Sequence, residues 1–502
     1  MKWYKLNAKY LLYYFILSLL SLLYVFPIIL ANLYFKDDLG WSLNGSVGLK
    51  GDGRPLGEYL VLLLCGGAPV TDTAPLSLIL SILFLSYALV LYAKTNLDFL
   101  SDNYMLIPVL LFVLTNPLSA ECLVYRYGAF VMFTALGIPF IIFSIPKTIS
   151  KKKLFLYSAF LSAALMSLYQ TTIGVCLILL ILAFFLEIIN QKETPPLRAF
   201  LLREGIRVAG IGVGAIFYQL VIARHYISRT DWRYDASKTL AFKPSSIKAI
   251  IDNIIASCHY IKDFISGTAL WYQALLAVTI LLSLAVILFL YCKGTEQNGR
   301  RRIIGIAFLA LSPILVFIAT FLPIMLLQTL MLKTRTFIAL GCFLFYLGIL
   351  LLCYDKKRKT CIPLLFVLCI LYHFSYTYSY GSALTRQNEY AKYLVYNIAN
   401  DLETINVNGE FTSISFVGEM PANKQLQMLY DKYPIYDFML PTYFTNDSWV
   451  GGAWVLQYIQ DDLTMDKDPE GDAQIISSST PVISNASYSC YVNSDKIIVS
   501  FE

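Results

Sequence analysis

Charged residues are scarce in this chain. Asp, Glu, Lys and Arg together make up 14% of its 502 residues, whereas hydrophobic residues make up 57%. The mean hydropathy is +0.62. A soluble core of this length cannot use so much apolar surface. The composition therefore excludes an ordinary soluble domain and predicts a protein of the lipid bilayer.

Several motifs of soluble enzymes and binding proteins are also missing. The three histidines, His225, His259 and His373, are too dispersed for a zinc site, and the ten cysteines include no C-x-x-C pair. The chain has no convincing Ser/His/Asp set and no glycine-rich phosphate motif. It also has no basic stripe with interleaved aromatic residues, so nucleic-acid binding is set aside.

Long continuous apolar runs are abundant. A transmembrane helix needs roughly 20 apolar residues, and continuous rather than alternating runs favour helices over a barrel. The run from Leu154 to Ile189 would extend about 54 Å as one helix, so it must hold two spans with a tight turn at Gln170. We predict eleven spans, near residues 10–33, 73–93, 104–117, 128–146, 154–169, 171–189, 206–223, 268–292, 303–327, 336–354 and 361–380.

Basic residues mark alternate loops between these spans. Such residues stay in the cytoplasm, which places the amino terminus inside and everything after Tyr380 outside. The tail agrees, because residues 381–502 hold sixteen acidic and six basic residues. The first span is predicted to stay in the protein as a membrane anchor and not to be cleaved as a signal peptide. The inner basic residues are Lys2, Lys5, Lys9, Lys94, Lys147, Lys151 to Lys153, Lys192, Arg198, Arg203, Arg207, Lys293, Arg300 to Arg302 and Lys356 to Lys359.

The predicted organisation is a multi-span membrane domain over residues 1–380 and a small outer α+β domain over residues 381–502. The outer loops 34–72 and 224–267 are the other segments large enough to carry function. Within these outer regions the patterns predict helices at 57–64, 246–257 and 388–405, a strand at 412–417, and a hairpin of 488–492 with 496–501 around residues 493–495.

Two adjacent carboxylates, Asp37 and Asp38, follow the first span. A lone Asp at a membrane boundary is usually a solvated charge. Here the same loop also holds Asp52 and Arg54 beside turn-forming glycines. Arginine presents a planar fork of donors to phosphate oxygens, and a carboxylate beside it can stay ionised as a base. The loop therefore has the groups needed for sugar transfer from a polyprenyl phosphate.

Such a transfer needs a base for the acceptor hydroxyl and cations for the departing phosphate. Asp37 or Asp38 can be the base. The candidate phosphate-binding residues on the outer face are Arg54, Arg126, Lys333 and Arg335. The candidate substrate-binding residues are Asp52, Glu121, Tyr125, Tyr169 and Gln170.

Each of these assignments has a structural alternative. Lys333 and Arg335 can equally be an outer-loop anchor, and a tyrosine belt explains Tyr169 about as well. A purely structural role is less well supported for Arg126. This residue and Glu121 interrupt an apolar stretch of sequence, where polar side chains cost free energy to desolvate and more often line a cavity than face lipid.

An acidic run lies in the tail. It could bind calcium, but it lacks the order of an EF-hand and is predicted to be a solvated loop. Its members are Asp461, Asp462, Asp466, Asp468, Glu470 and Asp472.

Four short motifs carry a family resemblance when they are taken together in this order. They are Phe35-Lys36-Asp37-Asp38, then Asp52-Gly53-Arg54-Pro55-Leu56, then Asn116-Pro117 with Glu121 and Tyr125-Arg126, and finally Leu168-Tyr169-Gln170. In this combination the chain resembles the bacterial serotype-converting O-antigen glucosyltransferases of the type-two glucosyltransferase family. The likeness extends over most of the chain, including the tail that opens with Asn388-Glu389-Tyr390.

The resemblance implies an α-helical, polytopic, GT-C-like fold in the bacterial inner membrane. It implies transfer of glucose from undecaprenyl phosphate glucose to a lipid-linked O-antigen repeat on the periplasmic face. Two companions are implied, a synthase of the lipid-linked glucose and a flippase. In GT-C enzymes an acidic residue of the first outer loop is the usual base, which falls here on Asp37 or Asp38. The other carboxylate would orient the base or bind acceptor or metal. No cofactor is assigned, and a requirement for a divalent metal stays open.

Two other functions stay open at this point. A flippase of lipid-linked sugar would use the outer basic residues only to guide the headgroup, but the mid-span stretches are nearly free of the polar residues it needs. An O-antigen polymerase would lengthen the polysaccharide instead of decorating it.

Overall fold

The computed structural model describes residues 4–189, 197–228, 232–241, 243–293, 299–355, 362–445, 449–459, 463–466 and 468–501. The chain divides into two compact units. The large unit comprises Met1–Phe26 and Val47–Tyr378, and the small unit comprises Pro27–Ser46 and Ser379–Glu502. Several residues named above lie outside the described ranges: Lys2, Lys192, Lys356 to Lys359, Asp461 and Asp462.

The large unit is built from helices. Its longer α-helices are Pro55–Leu64, Leu76–Asn96, Gly128–Phe143, Lys151–Met166, Gly174–Ile189, Leu197–Phe217, Ser246–Ser266, Leu270–Lys293, Gly299–Ala319 and Leu340–Asp355. Helices Ala8–Ala31 and Ile362–Ile405 belong to it only up to Phe26 and Tyr378. Short helical segments connect them: Asp98–Leu100, Leu106–Leu111, Pro117–Ser119, Ala120–Val124, Gln170–Ile173, Tyr218–Ala223, Arg224–Tyr226, Trp232–Ser237, Leu322–Met325 and Thr334–Phe337.

The described part of the chain contains six helices that are long and apolar enough to cross a membrane. Three shorter apolar helices accompany them: Pro55–Leu64, Gly128–Phe143 and Ala310–Ala319. This content is that of a membrane protein, as the composition predicts. The six candidate spans are Ala8–Ala31, Leu76–Asn96, Gln170–Ile188, Arg198–Tyr226, Leu270–Phe289 and Thr334–Tyr354.

Close helix packing explains how the large unit holds together in lipid, where apolar contact alone does not favour association. On helix Leu197–Phe217, Gly210 and Gly214 lie on one face and approach the backbone of helix Lys151–Met166. A Cβ atom at Gly210 would lie 2.6 Å from the carbonyl oxygen of Phe155, and one at Gly214 would lie 2.2 Å from that of Ala159. Glycine at both positions is therefore required for this contact.

The turn predicted at Gln170 is confirmed. Helix Lys151–Met166 ends before it, a 3₁₀ turn covers Gln170–Ile173, and helix Gly174–Ile189 follows. The prediction of one helix over 104–117 is wrong. That run forms only the helix Leu106–Leu111, followed by the 3₁₀ turn Pro117–Ser119.

The local reason for this break lies at its carboxyl end. Pro117 has no backbone N–H to donate, and the side chain of Asn116 accepts a hydrogen bond from the nitrogen of Leu118 at 3.2 Å. The apolar run therefore turns before it reaches the length of a span.

The prediction that a span ends at residue 380 and a separate helix begins at 388 is also wrong. One helix of 44 residues runs from Ile362 to Ile405. The polar residues from Arg386 onward end the hydrophobic pattern, but they do not break a helix because neither glycine nor proline follows Gly381 in this stretch.

The small unit contains a five-stranded sheet in the order β2-β1-β5-β4-β3. Strand β1 is parallel to both β2 and the central strand β5. Strand β4 is antiparallel to both β5 and β3. The strands are β1 (Ser413–Val417), β2 (Thr464–Met465), β3 (Ile483–Ser484), β4 (Ser489–Asn493) and β5 (Lys496–Ser500). Its helical segments are Asp37–Asn44, Lys424–Leu426, Gln427–Lys432, Tyr436–Met439, Val450–Leu456 and Pro469–Ser478, with the end of Ile362–Ile405.

The predicted strand at 412–417 and the predicted hairpin are confirmed. Asn493 pairs with Lys496 across the turn, where Ser494 has a φ of +54°. The helix that carries Leu394 and Ile398 packs on the sheet through a buried core, which also takes in Leu39 from the segment Pro27–Ser46. The α+β architecture of the tail is therefore as predicted.

The acidic run of the tail is not simply a solvated loop. Asp472 is 2% exposed and lies 2.6 Å from the ammonium group of Lys496, which also contacts Asp466 at 2.9 Å. Asp468 caps helix Pro469–Ser478 by accepting a hydrogen bond from the nitrogen of Gly471 at 3.1 Å. These carboxylates stabilise the small unit because each has a partner inside it.

Candidate functional site

Each unit contains one group of candidate residues. In the small unit, Asp37 and Asp38 are the first two residues of helix Asp37–Asn44. Lys36 precedes them with φ +48° and ψ −111°, a backbone conformation that side-chain-bearing residues rarely adopt. Backbone strain of this kind is concentrated at functional sites. It turns the chain sharply at the carboxylate pair.

The two neighbouring carboxylates have different surroundings. Asp38 is fully buried, its side chain accepts a hydrogen bond from the nitrogen of Phe35 at 3.4 Å, and its own nitrogen donates to the Phe35 oxygen at 3.0 Å. Asp37 is exposed. At the start of this helix the Asp38 carboxylate therefore points inward and stabilises the turn, whereas the Asp37 carboxylate points toward solvent.

Asp37 lines a cavity of about 150 Å³ in the small unit. Tyr443 fixes one wall, because its hydroxyl donates to the carbonyl oxygen of Tyr34 at 2.8 Å. The cavity therefore combines a carboxylate, a cation and a hydroxyl group with apolar surface. Its lining residues are Lys36, Asp37, Pro441, Thr442, Tyr443 and Val450.

The large unit contains the second group, centred on Glu121 and Arg335. Glu121 is 1% exposed. Its Oε2 accepts a hydrogen bond from the hydroxyl of Thr334 and another from the nitrogen of Arg335 at 3.1 Å. Its Oε1 lies 3.6 Å from the Arg335 guanidinium, which also donates to the hydroxyl of Tyr125. The buried carboxylate thereby fixes the position of a half-buried arginine.

Tyr169 lies beside a second arginine as well. Its hydroxyl donates to the carbonyl oxygen of Arg335 at 3.2 Å, and the guanidinium of Arg54 lies 4.9 Å from the centre of its ring. Cation–π contact of this kind holds an arginine without neutralising it. One buried tyrosine thus contacts the guanidinium of Arg54 and the backbone of Arg335, which come from distant parts of the chain.

Asp52 pairs with two arginines. Its Oδ1 lies 2.8 Å from the Nε of Arg233, and its Oδ2 lies 3.7 Å from Arg54. The carboxylate and both arginine side chains are about one-third exposed. Asp52, Arg54 and Arg233 thus carry two positive charges and one negative charge, and the carboxylate restrains both guanidinium groups.

The carbonyl oxygen of Gly53 anchors the same loop. It accepts hydrogen bonds from the hydroxyl of Tyr218 at 2.7 Å and from the side chain of Gln170 at 3.2 Å, and these two side chains also contact each other at 2.6 Å. Gly53 has φ +73°, and a Cβ atom there would lie 2.7 Å from the Tyr218 hydroxyl. Only glycine fits this turn.

The structure therefore brings together six of the predicted residues of the large unit, and two predicted residues lie apart from them. Arg126 pairs with Asp72, and its side chain is 8% exposed. Lys333 is exposed at the start of the turn Thr334–Phe337. We name the six the arginine cluster: Asp52, Arg54, Glu121, Tyr125, Tyr169 and Arg335, with Gln170 and Arg233 contacting its edge.

The charge of Glu121 acts on its neighbours. Burial raises the pKa of Tyr260 to about 12, and the Glu121 carboxylate adds to this effect. Burial also raises the pKa of the Cys122 thiol well above its usual value, again with a contribution from Glu121. Cys122 therefore stays protonated, which argues against a thiolate nucleophile at this position.

Sequence reasoning missed four residues of these sites. Each of the four pairs with a residue far away in the chain, and the sequence next to it contains no motif that predicts the contact. They are Arg233, Tyr218, Thr334 and Asp72. Arg233 does lie in the outer loop 224–267 that was selected for its size. Within the described ranges, no group of three or more His, Cys, Asp or Glu side chains is placed to hold a metal ion.

Comparison with known proteins gives two matches. Residues 26–352 match the sequence profile of the family described as Glucosyl transferase GtrII. The chain is also similar to a protein of Salmonella phage P22 described as an uncharacterized 55.3 kDa protein in the gtrB 5' region. The two are 26% identical over 458 residues, which cover 90% of this chain and 91% of that protein. No solved structure matches the chain significantly.

Proposed function

Because the chain belongs to the GtrII glucosyl transferase family, we propose that it transfers glucose from undecaprenyl phosphate glucose to a lipid-linked O-antigen repeat. The reaction is a hydroxyl glycosylation with inversion at the anomeric carbon. The acceptor oxygen forms a bond to this carbon, the carbon–oxygen bond to the phosphate breaks, and the lipid phosphate leaves with the electron pair. The acceptor proton passes to a carboxylate.

Asp37 is the general base in this proposal. The observation that carries the assignment is the different burial of two adjacent carboxylates, since Asp37 is exposed on a cavity and Asp38 is fully buried. A base must reach the hydroxyl from which it takes the proton. Asp38 acts indirectly by bracing the turn at Phe35 that presents Asp37.

The acceptor sugar binds in the cavity at Asp37. Monosaccharides present hydroxyl groups at their edges and apolar C–H groups on their faces. The cavity offers matching groups, since Lys36 and Thr442 supply polar atoms and Pro441 and Val450 supply apolar surface. Its volume of about 150 Å³, roughly that of five water molecules, is on the scale of one sugar residue.

Arg54 and Arg335 stabilise the departing lipid phosphate. Each retains solvent exposure. The Arg54 guanidinium is restrained by the ring of Tyr169, and the Arg335 guanidinium is restrained by Glu121 and Tyr125. Restrained donors stabilise developing charge better than mobile ones, because they need no reorganisation during the reaction. Arg126 has a different role in this proposal, because its pairing with Asp72 makes it an anchor of the loop that ends at residue 72.

The reaction takes place on the periplasmic face of the bacterial inner membrane. In this proposal the inner amino terminus and the periplasmic tail rest on the distribution of basic residues. A synthase that makes the lipid-linked glucose and a flippase that turns it over are the companions. The donor is supplied already activated, so no nucleotide site is needed on this chain.

The test is an assay with purified enzyme, undecaprenyl phosphate glucose and a lipid-linked O-antigen repeat. We expect glucose transfer with inverted anomeric configuration, and a loss of roughly 10² to 10⁴-fold in Asp37→Asn, which is the range that general bases contribute. Asp437→Asn, at another carboxylate of the small unit, is the matched control. Full activity of Asp37→Asn would rule out the base, and retention of configuration would rule out the mechanism.

A further inference from the structure

A second and larger cavity, a groove that is open along most of its surface, lies in the large unit away from every site residue assigned above. It measures about 480 Å³ and lies between helices Ala8–Ala31 and Leu76–Asn96. Cavities of roughly 300 to 1,000 Å³ hold small-molecule ligands. The lining residues are Lys5, Leu6, Leu11, Tyr14, Leu83, Phe84 and Tyr87.

The walls of this cavity are apolar and held in place by the residues around it. The rings of Tyr14 and Tyr87 meet edge to face at 6.4 Å. The hydroxyl of Tyr87 donates to the carbonyl oxygen of Tyr4 at 2.7 Å, and the ammonium group of Lys94 donates to that of Lys5 at 2.5 Å. These two bonds attach the segment before the first helix to helix Leu76–Asn96 at one end of the cavity, which we call its mouth.

The mouth is positively charged. Lys5 is an exposed lining residue, and within the described ranges no carboxylate lies within 4 Å of its ammonium group. Lys94 lies next to it. The nearby Lys9 is different, because it pairs with Asp102 at 2.7 Å and contacts Ser101 at 2.9 Å. The cavity thus combines an apolar interior with cations at one end.

We propose that this cavity binds one acyl chain of an anionic phospholipid, whose phosphate contacts Lys5 and Lys94. The chain would pack along Leu11, Leu83 and Phe84. This site is independent of the glucosyl transfer proposed above and would make the stability of the large unit depend on the lipid headgroup.

An anionic phospholipid fits this cavity for two reasons, the positive charge at its mouth and its position between two candidate membrane spans. Both bordering helices are candidate membrane spans, so lipid chains are the apolar molecules that surround them. Lysines directly next to a span attract anionic headgroups by about 1 kcal/mol each, an attraction that a zwitterionic lipid does not provide. A neutral detergent or a zwitterionic phospholipid would fill the interior but bring no net negative charge to Lys5.

The experiment titrates the purified full-length chain in detergent with dioleoyl phosphatidylglycerol or dioleoyl phosphatidylcholine and counts bound lipids by native mass spectrometry. We expect tighter binding of the anionic lipid. Lys5→Gln should weaken it about fivefold and leave the zwitterionic lipid unchanged, since one cation is lost. Leu11→Trp should weaken both lipids, because it fills the cavity.

Two variants are matched controls. Lys248→Gln removes an exposed lysine from helix Ser246–Ser266, and Leu12→Trp adds the same bulk next to Leu11 at a position that is 57% exposed and does not line the cavity. Both should bind like the unchanged chain. Equal affinity for the two lipids, or an effect of Leu12→Trp as large as that of Leu11→Trp, would overturn the proposal. Displacement of phosphatidylglycerol by equimolar undecaprenyl phosphate would overturn it as well.

Discussion

Glu121 holds Arg335 through both its backbone and its side chain. The carboxylate accepts a hydrogen bond from the Arg335 nitrogen at 3.1 Å, and its other oxygen lies 3.6 Å from the guanidinium. Since the Glu121 side chain is 2% exposed and that of Arg335 is 30% exposed, the buried partner sets the position and the exposed partner is available to a ligand. Glu121 is therefore a positioning residue in the proposed reaction, and not a substrate contact.

Removing only the charge of Glu121 tests this role. Glu121→Gln keeps an acceptor for Thr334 but loses the charge-assisted bonds to Arg335. Hydrogen bonds to charged groups contribute about 1.5 to 3 kcal/mol, so we expect kcat/KM for the lipid donor to fall roughly 10- to 150-fold. Steady-state kinetics with purified donor measure this. Thr334→Val, which leaves the Glu121 charge in place, should lose less. An unchanged kcat/KM in Glu121→Gln would contradict the role.

Two variants of Tyr169 separate its ring from its hydroxyl. Tyr169→Phe loses the hydrogen bond to the Arg335 carbonyl but keeps the ring beside Arg54, whereas Tyr169→Ala loses both. A cation–π contact contributes about 0.5 to 2 kcal/mol. We therefore expect donor kcat/KM to be close to normal in Tyr169→Phe and clearly lower in Tyr169→Ala, with folding verified by thermal unfolding. Equal losses in the two variants would show that the ring does not hold Arg54.

Replacing Asp38 should lower the stability of the small unit more than it lowers the rate of glucose transfer. Asp38→Ala removes a fully buried carboxylate that braces the turn at Phe35. Leaving buried polar groups without a partner costs about 1 to 3 kcal/mol, which should lower the unfolding temperature of the small unit. Asp37→Ala, at an exposed position, should leave that temperature nearly unchanged while transfer is lost. The reverse pattern, a stable and inactive Asp38→Ala, would move the base to Asp38.

Local patterns predicted the parts of the fold that local chemistry decides. The hairpin around residues 493–495 follows from turn-forming residues between two alternating strands, and the turn at Gln170 follows from the length of the apolar run. The change in hydropathy near residue 380 predicts a helix end, but helix Ile362–Ile405 continues through it. Polarity decides which medium surrounds a helix, but backbone propensity decides where it stops.

The candidate site was predictable in its residue types but not in its pairings. Arg54, Glu121, Tyr169 and Arg335 could be selected as polar groups interrupting apolar surroundings. That Tyr169 contacts both arginines depends on how separate helices pack, which no short sequence window contains. The choice between Asp37 and Asp38 was open for a related reason, because burial of the second carboxylate depends on the core formed around the helix that it begins.

The ion pair of Lys496 with Asp472 gives a prediction for the small unit. Lys496→Met would leave the Asp472 carboxylate buried without its cation, which costs about 3 to 5 kcal/mol. Limited proteolysis of the tail in increasing denaturant should report an earlier transition. Adding Asp472→Asn to the same chain should recover part of the loss. If the double variant were no more stable than the single one, the pair would not be coupled.

The same pair predicts a pH dependence. Burial by itself lowers the pKa of Lys496, but hydrogen bonds to Asp472 and Asp466 outweigh it, so the pKa lies above the ordinary value of 10.5. A group whose pKa is raised on folding stabilises fully below its unfolded pKa. The contribution of Lys496 should therefore be constant from neutral pH to about 10.5 and disappear at higher pH. In Lys496→Met this alkaline loss should be absent.

Cys65 reports on the proposed topology. It is half-exposed just after helix Pro55–Leu64, and its thiol donates to the carbonyl oxygen of Thr71 at 3.2 Å. In a chain whose other cysteines are replaced, Cys65 should react with a membrane-impermeant maleimide added to intact spheroplasts, because the distribution of basic residues places this loop outside. Lys94→Cys, in a chain without Cys65, is the opposite-side control and should react only after lysis. Labelling of Cys65 only after lysis would invert the proposed orientation and, with it, the face on which glucose is transferred.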